Sequence, residues 1–188
     1  MVGSAIIKHA FAFARSRPGG GNLGLQRLNV SLWWQGRGGM LIKQLRQQIR
    51  TMLKYEDPPA FLVLHISGND IGDSKVGFFR NEIKDTIRWI MKVLPGTVLV
   101  WSQILPRLTW RFSSDNAAMN RCKYRINNSI SAFILKQGGC YIRHPDIVPS
   151  SRLLRDDGVH LTDLGSEIFL NNLQGGLEWF IYNHSRLH

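Results

Sequence analysis

Phe61-Leu62-Val63-Leu64-His65-Ile66, followed at once by Ser67-Gly68-Asn69-Asp70, is the stretch that decides the fold. An almost wholly apolar run of strand length, entered through Asp57-Pro58-Pro59, describes a strand buried on both faces, as in parallel sheets. The Gly-Asn-Asp turn residues end it. Downstream, Val76, Phe79, Ile83, Ile87, Ile90 and Leu94 recur at steps of three or four, which predicts a helix closed by Pro95-Gly96. Thr97 to Ile104 reads as the next strand, Met119, Cys122, Ile126, Ile130 and Phe133 as the stripe of a helix stopped at Gly138-Gly139, and Cys140-Tyr141-Ile142 as a short strand. The last helix is expected from about Thr162 to Tyr182, with Thr162 capping its first turn. Upstream, Ile42, Leu45, Ile49, Met52 and Leu53 place an amphipathic helix with a basic outer face within Met40 to Tyr55, and Leu28 to Trp34 reads as the strand before it.

Strand and helix therefore alternate along the whole chain, which means α/β with a mostly parallel sheet and helices on both faces, in one domain over residues 1–188. Ligands of such sheets lie outside the carboxyl ends of the strands. The segments at Gly36, at Gly68-Asn69-Asp70 and before His160 are placed to converge there.

Composition narrows the class. The 188 residues include 24 Lys and Arg against 13 Asp and Glu, for a net charge of +11. Nine Phe, six Trp and four Tyr exclude a disordered basic tail. No apolar run reaches the roughly 18 residues that span a bilayer. The N-terminal apolar stretch is broken by Lys8 and His9 and has no basic region ahead of it, which reads against a signal peptide. Cys122 and Cys140 form neither a disulfide framework nor a metal set, so reduced thiols in a cytoplasmic or nuclear setting are expected. The charge is uneven: residues 1–57 hold nine basic residues against Glu56 and Asp57. Contact with nucleic acid or another polyanion is thus expected on that third, where Trp33, Trp34 and Arg37 lie close in sequence. The plainer reading of the same residues is a solvated helix face and core tryptophans.

Asp157-Gly158-Val159-His160 sets a carboxylate three residues before an imidazole. A histidine acting as a base needs an acceptor on one ring nitrogen to fix its tautomer and stabilise the imidazolium. Asp156 is the competing carboxylate. Asn69, preceded by Gly68 at a strand end, suits an oxyanion donor, and Gly36 suits a backbone donor to the same oxyanion; for both, an ordinary turn is the alternative. His9, His65, His144, His184 and His188 show no metal-ligand spacing and read as structural or surface residues.

Taken in order, these segments resemble the SGNH (GDSL-like) hydrolase family. Val2-Gly3-Ser4-Ala5-Ile6 looks like its first block, Gly36 its second, Gly68-Asn69-Asp70 its third, and Asp157-Gly158-Val159-His160 with Leu161-Thr162 and Gly165 its last, about 90 residues further on. The resemblance implies a three-layer α/β/α sandwich with a flavodoxin-like doubly wound sheet, and hydrolysis of a small acyl ester such as an acetate without metal or organic cofactor. His160 would be the general base, Asp157 its orienting partner, and Gly36 and Asn69 the oxyanion hole. The compact basic chain is also similar to esterase-like domains of some vertebrate retroelements.

The first block departs from the family's Gly-Asp-Ser. Aligned on Gly3, this chain has Ser4 in the Asp place and Ala5 in the nucleophile place. Three explanations stand: an inactive descendant, an engineered substitution in an active enzyme, or Ser4 as substitute nucleophile through a shifted turn. The third is disfavoured because moving one residue redirects the side chain, whereas near-attack geometry tolerates errors below about 1 Å. The functional expectation is an acetylesterase-like domain impaired at Ala5; the alternative is a non-catalytic module of the same fold binding nucleic acid or another polyanion through its basic N-terminal third. Oligomeric state is left open. Only Met1 and Val2 precede Gly3, fewer than the roughly five residues of an ordinary central strand, so a first strand missing its start is a further expectation.

Overall fold

The computed structural model describes residues 1–184; the readings of His188 and of the His184 side chain lie outside the described residues. Five strands, β1 (Val2–Gly3), β2 (Gln35–Gly36), β3 (Phe61–His65), β4 (Val98–Ser102) and β5 (Cys140–Ile142), form one parallel sheet in the order 2-1-3-4-5. That is the flavodoxin-like doubly wound order. Five helices, α1 (Ala5–Ala14), α2 (Ile42–Met52), α3 (Val76–Val93), α4 (Asn116–Lys136) and α5 (Asp163–His184), complete an α/β/α sandwich.

The two helical layers follow from side-chain alternation along the strands. Leu62 and Leu64 of β3 and Leu99 and Trp101 of β4 face α2, α3 and α4 in one buried cluster. Val63 and Val100 face α1 and α5 in the other. The stripes read for α2, α3 and α4 are buried, with Ile42, Leu45, Ile49, Ile83, Ile87, Ile126 and Ile130 each at most 2% exposed. Pairing runs from Phe61 opposite Val98 to Leu64 opposite Trp101, and from Val100 opposite Cys140 to Ser102 opposite Ile142. Cys122 and Cys140 are free thiols, both only half-buried.

Two expectations are corrected at the N-terminal end. Leu28 to Trp34 is not a strand: Leu25–Leu28 is a 3-10 turn and the chain then runs irregularly until Gln35–Gly36 pairs with β1. The backbone there is captured by local polar groups instead of a ladder. Leu32 N–H donates to Asn22 Oδ1 at 2.8 Å, and the Trp34 indole donates to the Gly21 carbonyl at 2.7 Å. Leu28, Val30 and Leu32 pack over the α1–α5 core as a cover. Second, residues 5–14, read above only as a broken apolar stretch, form α1, burying Ile6, Ile7, Ala10 and Ala14. Strand β1 has two residues and is nevertheless interior, pairing Val2 with Gln35 and Leu64, and Gly3 with Gly36 and His65.

Candidate functional site

All the singled-out segments leave the carboxyl ends of β1, β2 and β3 or precede α5, so the sheet gathers them on one edge. The best-defined part is the loop before α5. Asp157 Oδ1 accepts the N–H groups of Val159 at 2.8 Å and His160 at 2.9 Å, and Oδ2 meets His160 Nδ1 at 2.5 Å. These bonds select Asp157 over Asp156. Burial opposes the Asp157 charge, but hydrogen bonds from the His160 ring and from the two backbone amides outweigh it and hold the carboxyl well below the usual carboxylate range. An ionised carboxylate on Nδ1 makes that nitrogen the donor and leaves Nε2 as the acceptor. Gly158 closes the turn at a φ of +68°, where a Cβ would overlap Thr109, and its carbonyl accepts Leu108 N–H at 2.8 Å. Gly165 N–H donates to Thr162 Oγ1 at 3.1 Å, the expected cap.

His160 lies against α1. Its ring packs against that of His9, with centroids 4.8 Å apart and planes tilted by 37°. Burial and then the charge of His160 push the His9 imidazole below its ordinary value. Ala5 and His9 are four residues apart on α1, and so share one face of it. Sequence reading assigned His9 no role; the spacing of Ala5 and His9 was the available signal. Ser4 precedes the helix, beneath this face. It is 5% exposed, its backbone N–H donates to the His65 carbonyl at 3.3 Å, and it lines a small cavity with His65, Gly68, Arg107 and Val159.

Asn69 follows a strained corner. Ser67 has a φ of +82°, is fully buried, and its hydroxyl has no partner. Beyond this corner Asn69 Nδ2 donates to the Met40 carbonyl at 3.3 Å, while Oδ1 accepts from Arg107 Nη2 at 3.0 Å. Asp70 accepts Ile42 N–H on both oxygens, at 3.1 and 3.3 Å, pinning the start of α2; burial raises its carboxyl to about 6, partly offset by that bond. The third block is thereby clasped to the turn after β2. Within that turn, Gln35 and Arg37 N–H groups donate to the Met1 and Gly3 carbonyls, so strand alternation points Gly36 N–H away from β1. Gly36 also lets α1 approach: a Cβ there would overlap the Lys8 backbone. The part of the turn that reaches Asn69 runs through Gly38 and Gly39, which has a φ of +67°, to Met40.

Behind the site lies a buried relay that no motif announced. His65 Nδ1 and Ser102 Oγ are 3.0 Å apart, and Ser102 Oγ and His144 Nε2 are 2.8 Å apart, with Phe169 packed against both rings. Burial lowers His65 to about 3 and His144 well below its ordinary value, so both are neutral. Their expected structural reading fits this placement.

No protein-family model and no curated protein sequence matches the chain. Solved structures do. A family 3 carbohydrate esterase from Clostridium thermocellum superposes with a TM-score of 0.72 at 16% identity, covering 97% of this chain and 95% of that one. A GDSL-like lipase from Bacteroides thetaiotaomicron gives 0.65 at 13% identity over 97% and 86%. A mutant of an acetyl-xylooligosaccharide esterase from Geobacillus gives 0.65 at 15% identity over 93% and 91%. The chain therefore has the α/β/α fold of the GDSL/SGNH lipolytic hydrolases and esterases, on which the Asp157–His160 pair stands at the carboxyl edge of the sheet.

Proposed function

We propose that this chain is an SGNH-type ester-hydrolase domain whose nucleophile position is Ala5. The observation that carries the reading is the contact of the Asp157-bound His160 ring with His9, one turn along α1 from Ala5 on the same helical face. A serine at residue 5 would stand on the helix face that the His160 ring borders. In the complete reaction the Oγ–H proton passes to His160 Nε2 as Oγ bonds to the acyl carbon. The carbonyl oxygen becomes an oxyanion held by the free N–H of Asn69 Nδ2 and by backbone donors of Gly38 and Gly39 and the start of α1, rather than by the expected Gly36 N–H, which points away from β1. Collapse expels the alcohol with the proton from His160, and water, activated by the same imidazole, releases the acid. With Ala5 in place the covalent step has no attacking atom. Removal of the nucleophile from such a triad costs on the order of 10⁶ in kcat, with a residual of roughly 10³ over water.

Ala5→Ser is expected to raise hydrolysis of p-nitrophenyl acetate by several orders of magnitude, and His160→Ala added to it to remove the gain. An unchanged rate in folded Ala5→Ser protein overturns the assignment.

A second reading, the non-catalytic polyanion-binding module, is favoured by one observation. Helices α2, α3 and α4, which share one layer, carry eleven Lys and Arg against two acidic residues, while α1 and α5 carry one Lys against three acidic residues. This relocates the expected contact from the N-terminal third to the α2–α4 layer. Within that third, Arg17 and Arg27 pair with Glu167 and Glu178, and Trp34 is buried while Trp33 is exposed. Single-stranded RNA is expected to bind with a steep loss of affinity on raising salt, weakened by Arg46→Glu with Arg50→Glu. No affinity at low salt overturns this reading.

A further inference from the structure

We propose that Arg107 is a positioning residue that fixes the Asn69 carboxamide, an inference that rests on the ester-hydrolase reading of the site. Arg107 is 8% exposed, and its one side-chain hydrogen-bond acceptor among the described residues is Asn69 Oδ1, 3.0 Å from Nη2. A guanidinium only donates, so it faces the amide oxygen and dictates which end of Asn69 is oxygen. One Nδ2 proton then goes to the Met40 carbonyl at 3.3 Å. The second Nδ2 proton remains as the donor for a ligand. Without Arg107 the orientation rests on the Met40 bond alone, which at 3.3 Å is the longer of the two contacts, so the amide is held less firmly in the one orientation that presents that donor.

The surroundings are arranged for this contact. Gly68 clears the approach, since a Cβ there would stand 2.5 Å from Nη2. The guanidinium rests over Trp110 at 5.3 Å, and the Arg107 backbone is clasped by Asn120, whose Oδ1 accepts its N–H at 3.4 Å and whose Nδ2 donates to its carbonyl at 3.1 Å. Burial brings Arg107 down to about 10, with Asp157 and Asp70 offsetting part of that cost, so the group stays charged at neutral pH. Among the described residues no carboxylate forms an ion pair with it. The next residue, Leu108, donates its N–H to Gly158 O at 2.8 Å, so the Arg107 segment is also tied to the loop of Asp157 and His160.

The test uses Arg107→Met, which keeps the stem on Trp110, and Arg107→Lys, which keeps the charge. In the ¹⁵N-labelled full chain the two Asn69 Nδ2 protons are expected to hold distinct resonances, the one on the Met40 carbonyl being protected from solvent. Their exchange should accelerate at least tenfold in whichever variant retains a dispersed backbone-amide spectrum. On the Ala5→Ser background, kcat is expected to fall about ten- to a hundredfold with KM nearly unchanged, as for a weakened oxyanion donor. Asn69 resonances that stay distinct and exchange at the parent rate in a folded variant overturn the proposal. An inactive Ala5→Ser protein counts against the hydrolase reading alone, because the Asn69 resonances still decide the orientation.

Discussion

Ser67 sits in left-handed backbone geometry with its hydroxyl buried and unpartnered, immediately before the Gly68-Asn69-Asp70 block. Such a conformation costs an L-residue on the order of 1–2 kcal/mol. It persists because Asp70 bonds Ile42 on one side and β3 anchors the other. Glycine at 67 removes the strain and the orphan hydroxyl, against roughly 0.5–1 kcal/mol of added unfolded-state entropy. Ser67→Gly is therefore expected to stabilise by about 1 kcal/mol, a Tm rise of roughly 2–4 °C for a domain of this size, and calorimetry checks it. A lower Tm would mean that the Ser67 side chain contributes packing that outweighs the strain. At this scale Asn69, Asp157 and His160 were legible because short-range spacing and turn chemistry carry their signal. Arg107 and His9 were not, since each acts on a residue 38 and 151 positions away respectively.

At the scale of elements, the legible ones bury an uninterrupted stripe against a neighbour. Helices α2 and α3 and strands β3, β4 and β5 lie within the segments read for them, and α4 spans its stripe while starting three residues before Met119, because period-3.6 and continuous apolar patterns translate directly into buried faces. Residues 28–34 failed for a physical reason. Their aromatic and β-branched composition fits a strand, but Asn29 at a φ of +60° and the capture of Leu32 by Asn22 spend the backbone locally. The apolar side chains then cover the α1–α5 core instead of entering the sheet. Helix α1 escaped because polar Lys8 and His9 break its run; they lie on the exposed side of the helix. Gly36 shows the two scales meeting: a residue read as an oxyanion donor is also the point at which α1 crosses β2 with no room for a side chain.

Over the whole molecule, the buried His65–Ser102–His144 relay makes stability depend on pH. Both imidazoles are neutral when folded and take up protons near 6.5 when unfolded, so their contribution is intact above about 6.5. As pH falls toward the folded value of about 3 for His65, each contribution is lost at about 1.4 kcal/mol per pH unit. Asp70, raised to about 6, acts in the opposite sense between 6 and 3.8, and the pair of histidines outweighs it. Replacing His144 by Gln keeps a hydrogen-bonding partner for Ser102 and removes one titration. The unfolding free energy lost between pH 6.5 and pH 5, from urea titrations, is expected to be smaller in His144→Gln than in the parent chain. Equal acid losses would show that His144 is not neutral in the fold.

The amino-acid sequence by itself determined the alternating architecture and the pairing of an Asp with a His before the last helix, because both rest on interactions between residues near one another along the chain. It also supplied the absence of a hydroxyl at residue 5 and the size of the positive charge. Only the tertiary structure decided which layer carries that charge, that His9 backs His160, that Arg107 holds Asn69, and that two histidines share Ser102. Each of these depends on the 2-1-3-4-5 strand order, which brings distant segments to one edge of the sheet and which no local pattern of side chains encodes.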